Sequence, residues 1–560
     1  MTIYDLKSLK LPVLYGRMLS IFASAVENPL TSWLLLGNLL RNGGIPKFRQ
    51  IDIDDHLTLY PLHRTAENES QVQDLQTFDP LGKRAVSRTP YSTIRDYAEA
   101  YRNGNISPVE VARNVLEAIS TSDRLEYPLR AFIAVYRDDV LDQARAAEQR
   151  FWDGQPLSIF DGVPVAIKDE VDMVPYPTTV GTAIYQDHKA QVDSTVVARL
   201  RAAGALLIGK ANMHEFGINP DGSNNHHGRV CNPWDLQSDS GGSSSGPAAA
   251  TAAGFCPVSI GADGGGSIRV PAALCGVVGL KPTYGRVSDF GSASEGLSVG
   301  HLGPIGTSVE DVALAYTVIA GPDPACPNSQ YQPPIRMEDW DNVDLSGLRI
   351  GIFWDWFLHA DEEVVSINRK MVDMLQDAGA QISDILIPEL DNMRIAHIVT
   401  IISELADNAP DQKTEKADFG KLAPSTRLNL VLASAFSSND YIRAQRMRTR
   451  AMKIFDKVFQ DVDVIITPAT AIAAPPVPHA ALSNGWSDLS AVTELMRYVF
   501  APNLTGHPAI SFPAGYNSAG MPVGMQAIGR HWEEHVLLRI AYSAEQVVER
   551  KLPRVHYKII

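Results

Sequence analysis

The chain has 560 residues, with 49 Lys plus Arg against 64 Asp plus Glu and therefore a formal charge of −15; 45% of it is hydrophobic and 20% charged. That composition excludes intrinsic disorder, collagen and coiled coil, and a chain of this length buries a full core. The acidic balance argues against nucleic-acid binding, which needs a basic face to neutralise phosphates.

In chain order, the first apolar element is Val13 to Val26, which carries Arg17 and reads as an amphipathic helix. A homodimer arm, a packing helix and a membrane-surface anchor all fit it. The run Ser32 to Leu40 is too short to span a bilayer and is interrupted by Gly37 and Asn38. No transmembrane helix and no signal peptide is therefore expected, and a cytoplasmic protein with peripheral membrane association left open is the default. Residues 1–90, ending in the polar run Thr65 to Gln76, read as a helical and irregular extension on a body spanning 91–560.

From Tyr91 the pattern becomes regular. Ser92 or Thr93 caps a helix running through Tyr101, and Ser107-Pro108 opens another through Ile119. Val163 to Ile167 is an apolar run suited to a buried strand and leads directly into Lys168; a helix over Ser194–Ala203 and a strand over Ala205–Gly209 follow. This alternation predicts an α/β body. The Pro- and Asp-rich stretch Pro322–Leu345 reads as a surface connection, residues 361–455 as a mainly helical region, and Leu348–Phe353, Val462–Pro468 and Pro508–Pro513 as strands. The four cysteines form no CxxC pair and no zinc spacing with His226 or His227, so neither a disulfide framework nor a metal is expected, and no cofactor pattern is present.

Sixteen of the 41 glycines fall between Gly241 and Gly306, interleaved with serines. A phosphate loop is disfavoured because no lysine follows these glycines until Lys281. Gly242-Ser-Ser-Ser-Gly246 formally fits a nucleophile elbow centred on Ser244, but a polar, turn-rich segment precedes it where a strand is needed. The third reading places a nucleophile at Ser267, directly after Gly264, Gly265 and Gly266, where backbone N–H groups can crowd around one oxygen atom. A serine nucleophile needs a base. His226 or His227 fits that role, as does a desolvated Lys168.

These residues carry a family likeness. Gly162-Val-Pro-Val-Ala-Ile-Lys-Asp169, Asn212-Met-His-Glu-Phe216, Gly241-Gly-Ser-Ser244, the run Gly265 to Gly285 and Gly520-Met-Pro-Val-Gly-Met-Gln526 together resemble the amidase signature hydrolases over roughly residues 91–548. The spacing, 75 residues from Lys168 to Ser243 and 24 from Ser243 to Ser267, fits as well. The resemblance implies a large mixed β-sheet flanked by helices on both faces. It implies a Ser–cis-Ser–Lys triad with Ser267 as nucleophile, Ser243 as bridge across a cis peptide and Lys168 as base. It further implies an oxyanion hole from Gly264, Gly265, Gly266 and the Ser267 N–H. Asp263 and Arg269 flank that loop and fit supporting hydrogen bonds or a plain ion pair, and Ser244 fits a helix entry better than a place in the proton network. The sequence departs from the family pattern at Ser245 and Pro247, and at Gly264, where a larger residue is common.

The implied activity is hydrolysis of a non-peptide carboxylic amide, acyl, aryl or carbamate-like, with a small-molecule amide as the partner. Length and extension look most like the fungal-type amidases. A membrane-surface fatty acid amide hydrolase using residues 11–40, the glutaminase component of a tRNA-dependent amidotransferase, and a non-catalytic scaffold are the alternatives. The long extension weakens the glutaminase reading, and the intact Lys168, Ser243 and Ser267 set weakens the scaffold.

Overall fold

The computed structural model describes residues 3–8, 13–63, 79–82, 85–86, 88–294, 296–410, 412, 414–478, 481 and 485–560; the polar run at 65–76 lies outside them. Among these residues the strands are β1 Leu14–Tyr15, β2 Phe132–Ala134, β3 Pro164–Lys168, β4 Leu206–Ala211, β5 Val258–Ala262, β6 Val278–Lys281 and β7 Leu302–Gly306. They continue with β8 Arg349–Ile352, β9 Gln381–Asp384, β10 Val464–Pro468, β11 Trp486–Ser487, β12 Ala509–Tyr516 and β13 Pro522–Gly529.

Eleven of them form one mixed sheet in the order β2-β4-β3-β5-β7-β6-β12-β13-β10-β8-β9, and β1 pairs separately with β11. β3 lies parallel to both β4 and β5. β3, β4, β5 and β10 are buried at every residue, the pattern of strands covered on both faces. The α/β expectation is met. β9 falls inside the 361–455 region, where the sequence pattern points to helix. It is an edge strand whose Gln-Ile-Ser-Asp is mostly exposed, so no apolar run marks it.

The predicted helix starts are built as their sequences dictate. Thr93 and Ser107 each form a capping box, with Asp96 and Glu110, and Ser194 accepts the N–H of Val197. The 322–345 connection is less superficial than its composition suggests, since Trp340 and Leu345 are buried and Trp340 packs edge-on to Tyr542. Pro and Asp signal irregular backbone there, not exposure.

The extension is anchored rather than draped. Leu6, Ile45, Phe48 and Ile53 are buried with Leu390, Met393, Phe455 and Phe459 of the helical region. Arg49 donates twice to Asp440 at 2.8 Å. Its two main helices, α1 (Gly16–Glu27) and α2 (Pro29–Gly43), bury Val26, Phe22, Leu35 and Leu39 against Phe216, Phe419 and Leu430. Their other sides leave Leu30 83%, Trp33 73%, Ile21 70% and Met18 60% exposed.

Candidate active site

Three features of the sheet converge at one point. Lys168 ends β3, Ser243 lies in the turn before the helix Ser245–Ala252, and Ser267 lies in the loop joining β5 to the helix Arg269–Cys275. Because β3 and β5 are parallel neighbours, their C-terminal ends deliver Lys168 and the glycine loop side by side. Lys168 Nζ donates to Ser243 Oγ at 2.8 Å and to the Ala262 carbonyl at 3.2 Å. The peptide bond between Gly242 and Ser243 is cis.

Burial lowers the Lys168 ammonium pKa from its ordinary value, while Glu170, whose Oε2 lies 3.1 Å away, and Asp263 oppose that shift. The net direction favours the neutral amine, the form that accepts a proton. Ser267 is 8% exposed, and its hydroxyl makes no hydrogen bond among the described residues. Its carbonyl accepts the Ser244 N–H at 3.1 Å, which ties the Ser267 loop to the Ser243 turn.

The loop is held from below by Asp263. Its carboxylate accepts from Gly266 N–H at 2.6 Å, Ile268 N–H at 3.1 Å, Arg269 Nε at 3.0 Å and Asn503 Nδ2 at 3.0 Å. Burial works against ionisation of Asp263, but the Arg269 charge and hydrogen bonds outweigh it and hold the carboxyl well below the usual carboxylate range. Arg269 is equally buried and also donates to Gln526 Oε1 at 2.6 Å and to the Val499 carbonyl at 2.9 Å. Asp263 and Arg269 are thus both an ion pair and the frame of the loop.

That frame changes the expected set of oxyanion donors. The Gly266 N–H, expected among them, is already given to Asp263. The N–H groups of Gly264, Gly265 and Ser267 have no acceptor among the described residues. Gly266 itself sits at φ +110°, and a Cβ there would come within 2.4 Å of Val499 Cγ2, so glycine is required. A Cβ at Gly264 would lie 3.0 Å from Ile401 Cδ1. Ile401 therefore fills the space a larger residue at 264 would take.

Ser244 is fully buried at the helix entry, yet its hydroxyl does not cap the helix. It donates to the Ala262 carbonyl at 3.1 Å and accepts the Ala262 N–H at 3.2 Å, stitching the turn to β5. No elbow nucleophile is presented. The Ser245 hydroxyl is buried without a partner among the described residues. His226 Nε2 lies 2.6 Å from Glu215 Oε1, and neither His226 nor His227 bonds to Ser243 or Ser267. The alternative histidine base is not assembled.

Sequence reasoning missed three residues. Glu170 also accepts the Ser294 hydroxyl at 2.9 Å and lines a cavity of about 410 Å³ with Val180, Tyr185, Phe216 and Leu297. A Cβ at Gly217 would lie 3.2 Å from Ser243 Oγ, so that glycine is a wall of the site. His397, on the helix Leu390–Asp407, places Nε2 2.8 Å from the Gly264 carbonyl. A carbonyl only accepts, so Nε2 carries the proton. Burial lowers its pKa to about 4, which keeps the ring neutral. Nothing local in the sequence marks His397, which lies 133 residues from its partner.

A family model described as Amidase matches residues 113–538. A fatty acid amide hydrolase of Arabidopsis thaliana is 37% identical over 589 aligned residues, covering 100% of this chain and 96% of that protein. A glutamyl-tRNA(Gln) amidotransferase component from a Cyanothece strain is 33% identical and covers 81% of this chain and 98% of its own. Among solved structures, the native peptide amidase of Stenotrophomonas maltophilia superposes with a TM-score of 0.70 at 27% identity, covering 84% of this chain and 99% of the other.

Proposed function

The chain belongs to the amidase signature family of carbon–nitrogen hydrolases, and from that premise we propose that it hydrolyses long-chain acyl amides through a Ser267–Ser243–Lys168 relay. The observation that carries the mechanism is the buried Lys168 amine 2.8 Å from Ser243 Oγ, beside a loop whose free N–H groups adjoin Ser267. Neutral Lys168 accepts the Ser243 proton as Ser243 accepts that of Ser267, whose oxygen attacks the amide carbonyl. The Gly264, Gly265 and Ser267 N–H groups receive the developing oxyanion, each such donor being worth roughly 2.7–4 kcal/mol of barrier. The proton returns through Ser243 to the leaving amine, and water then hydrolyses the acyl-enzyme on Ser267. No hydrogen bond joins the two serine hydroxyls in the free enzyme, and substrate entry closes that step.

The acyl group is assigned from a second observation. The apolar cluster formed by α1 and α2 with Phe216 and Phe419 continues to the cavity beside Glu170, through Phe216, Val180 and Tyr185. The outer sides of the same helices expose Met18, Ile21, Leu30 and Trp33. Such a patch fits a membrane surface from which a fatty acyl chain enters, and the full-length likeness to fatty acid amide hydrolases favours the same reading. Residues 1–90 then serve delivery, and the body from 91, with the helical 361–455 region on the substrate side, serves chemistry. Among the described residues no helix is long and apolar enough to cross a membrane.

The test is kcat/KM across acyl amides of increasing chain length, with aryl amides and carbamates alongside. A rise from short to long acyl chains is expected; preference for acetamide-like or aryl substrates would contradict the assignment.

A further inference from the structure

Away from the triad, Asp456, His507 and His531 bring one carboxylate oxygen and one nitrogen from each ring within 4.8 Å of one another. Asp456 lies on the helix Ser438–Asp461, His507 precedes β12 and His531 follows β13. The two imidazoles lie with centroids 3.9 Å apart and planes tilted by 37°.

Their tautomers are fixed by one residue. The Thr505 hydroxyl donates to the Ala501 carbonyl at 3.0 Å, so it can only accept from His507 Nδ1, 2.8 Å away. The His507 proton is therefore on Nδ1 and its lone pair on Nε2. His531 Nε2 lies 3.1 Å from the Thr505 carbonyl, an acceptor, so its proton is on Nε2 and its lone pair on Nδ1. Anchoring one ring nitrogen on a protein oxygen while baring the other is how metal-ligating histidines are oriented.

Among the described residues no hydrogen bond reaches His507 Nε2 or His531 Nδ1; the bonds of these rings are made by His507 Nδ1 and His531 Nε2. Asp456 makes no hydrogen bond or ion pair among the described residues. Lys281 Nζ is turned away to the carbonyls of His507 and Pro282, to which it donates at 2.6 and 3.1 Å. Phe455 and Phe459 cover one flank of His507. On the open side His63 lies parallel over His531 at 4.8 Å.

We infer that Asp456, His507 and His531 bind a divalent transition-metal ion of the zinc class. Two imidazole nitrogens and one carboxylate suit zinc and its neighbours, whereas magnesium and calcium prefer all-oxygen shells. The ion would clasp the helix 438–461 to the β12 and β13 connections, beneath the point where the His63 carbonyl accepts the Trp532 indole N–H at 2.9 Å. This site is independent of the amidase reaction. Its residues are 51 and 24 positions apart, which no local motif displays.

The experiment uses the full chain, stripped with a chelator, dialysed and titrated with zinc chloride against a chromophoric competitor. One ion per chain at submicromolar affinity is expected, with a rise in Tm on zinc addition. Asp456→Asn, at an exposed position and checked for fold by circular dichroism, should weaken binding by about a hundredfold or more and abolish the Tm rise. No tight ion in the wild-type chain, or a tight ion retained by Asp456→Asn, would overturn the site.

Discussion

The stretch around the triad and the α1–α2 pair invert the usual distribution of polarity in opposite ways. In the first, Lys168, Ser243, Asp263 and Arg269 are buried although each is polar or charged. In the second, Leu30, Trp33, Ile21 and Met18 are exposed although each is large and apolar. Both arrangements cost free energy, and the fold offsets only the first with bonds: Asp263 accepts from four different residues and Lys168 bonds to Ser243 and Ala262. In the proposed relay the buried polar groups are the ones that chemistry needs fixed. On the membrane-surface reading proposed above, the exposed apolar groups find their partner outside the chain.

Removing a triad group breaks this contrast hardest. Lys168→Ala or Ser243→Ala is expected to reduce kcat/KM by about 10⁴-fold or more with the chain still folded. Retained turnover would return the base to His226 or His227. Asp263→Asn leaves Arg269 buried without its counter-charge, and a loss of about 3–5 kcal/mol in urea unfolding is expected. The surface pair Leu30→Ser with Trp33→Ser should leave hydrolysis of short soluble amides unchanged while vesicle co-sedimentation falls. At roughly 1.5–3 kcal/mol per large apolar side chain the drop is tenfold or more. Equal loss on both substrate types would tie the patch to folding instead. His397→Ala withdraws the donor from the Gly264 carbonyl, at a cost of about 1–3 kcal/mol. In the proposed relay His397 positions the loop, so kcat should fall about tenfold with KM little changed.

The smallest effect is on pH dependence. In the proposed relay Lys168 acts as its neutral amine, so kcat/KM is expected to rise with pH through the Lys168 pKa, which burial lowers and Glu170 partly restores. Glu170→Gln removes the anion, lowers that pKa further and should move the acid limb of the profile to lower pH. A limb that stays put or moves upward would show that Glu170 does not govern Lys168.

Much of the candidate site is legible in the sequence. The apolar run before Lys168 predicts both its strand and its desolvation, and three glycines before Ser267 predict a loop of free N–H groups. Which N–H groups remain free is not legible, because Asp263 takes one of them through a turn that only the folded loop displays. His397 and the Asp456, His507 and His531 group are brought in by tertiary packing across more than a hundred and across several dozen residues respectively. The α1 pattern reads as amphipathic in either orientation. Periodicity finds the apolar residues but not the direction they face, and the fold divides them, with Val26 inward and Ile21 outward.

The central claim is that Ser267 is the nucleophile and that Ser243 and Lys168 activate it. Treatment of the full chain with a fluorophosphonate, followed by intact mass and peptide mapping, tests it directly. One adduct on Ser267 is predicted, formed slowly in Lys168→Ala and absent in Ser267→Ala. An adduct on Ser243 or Ser244, or labelling that survives Ser267→Ala, would contradict it.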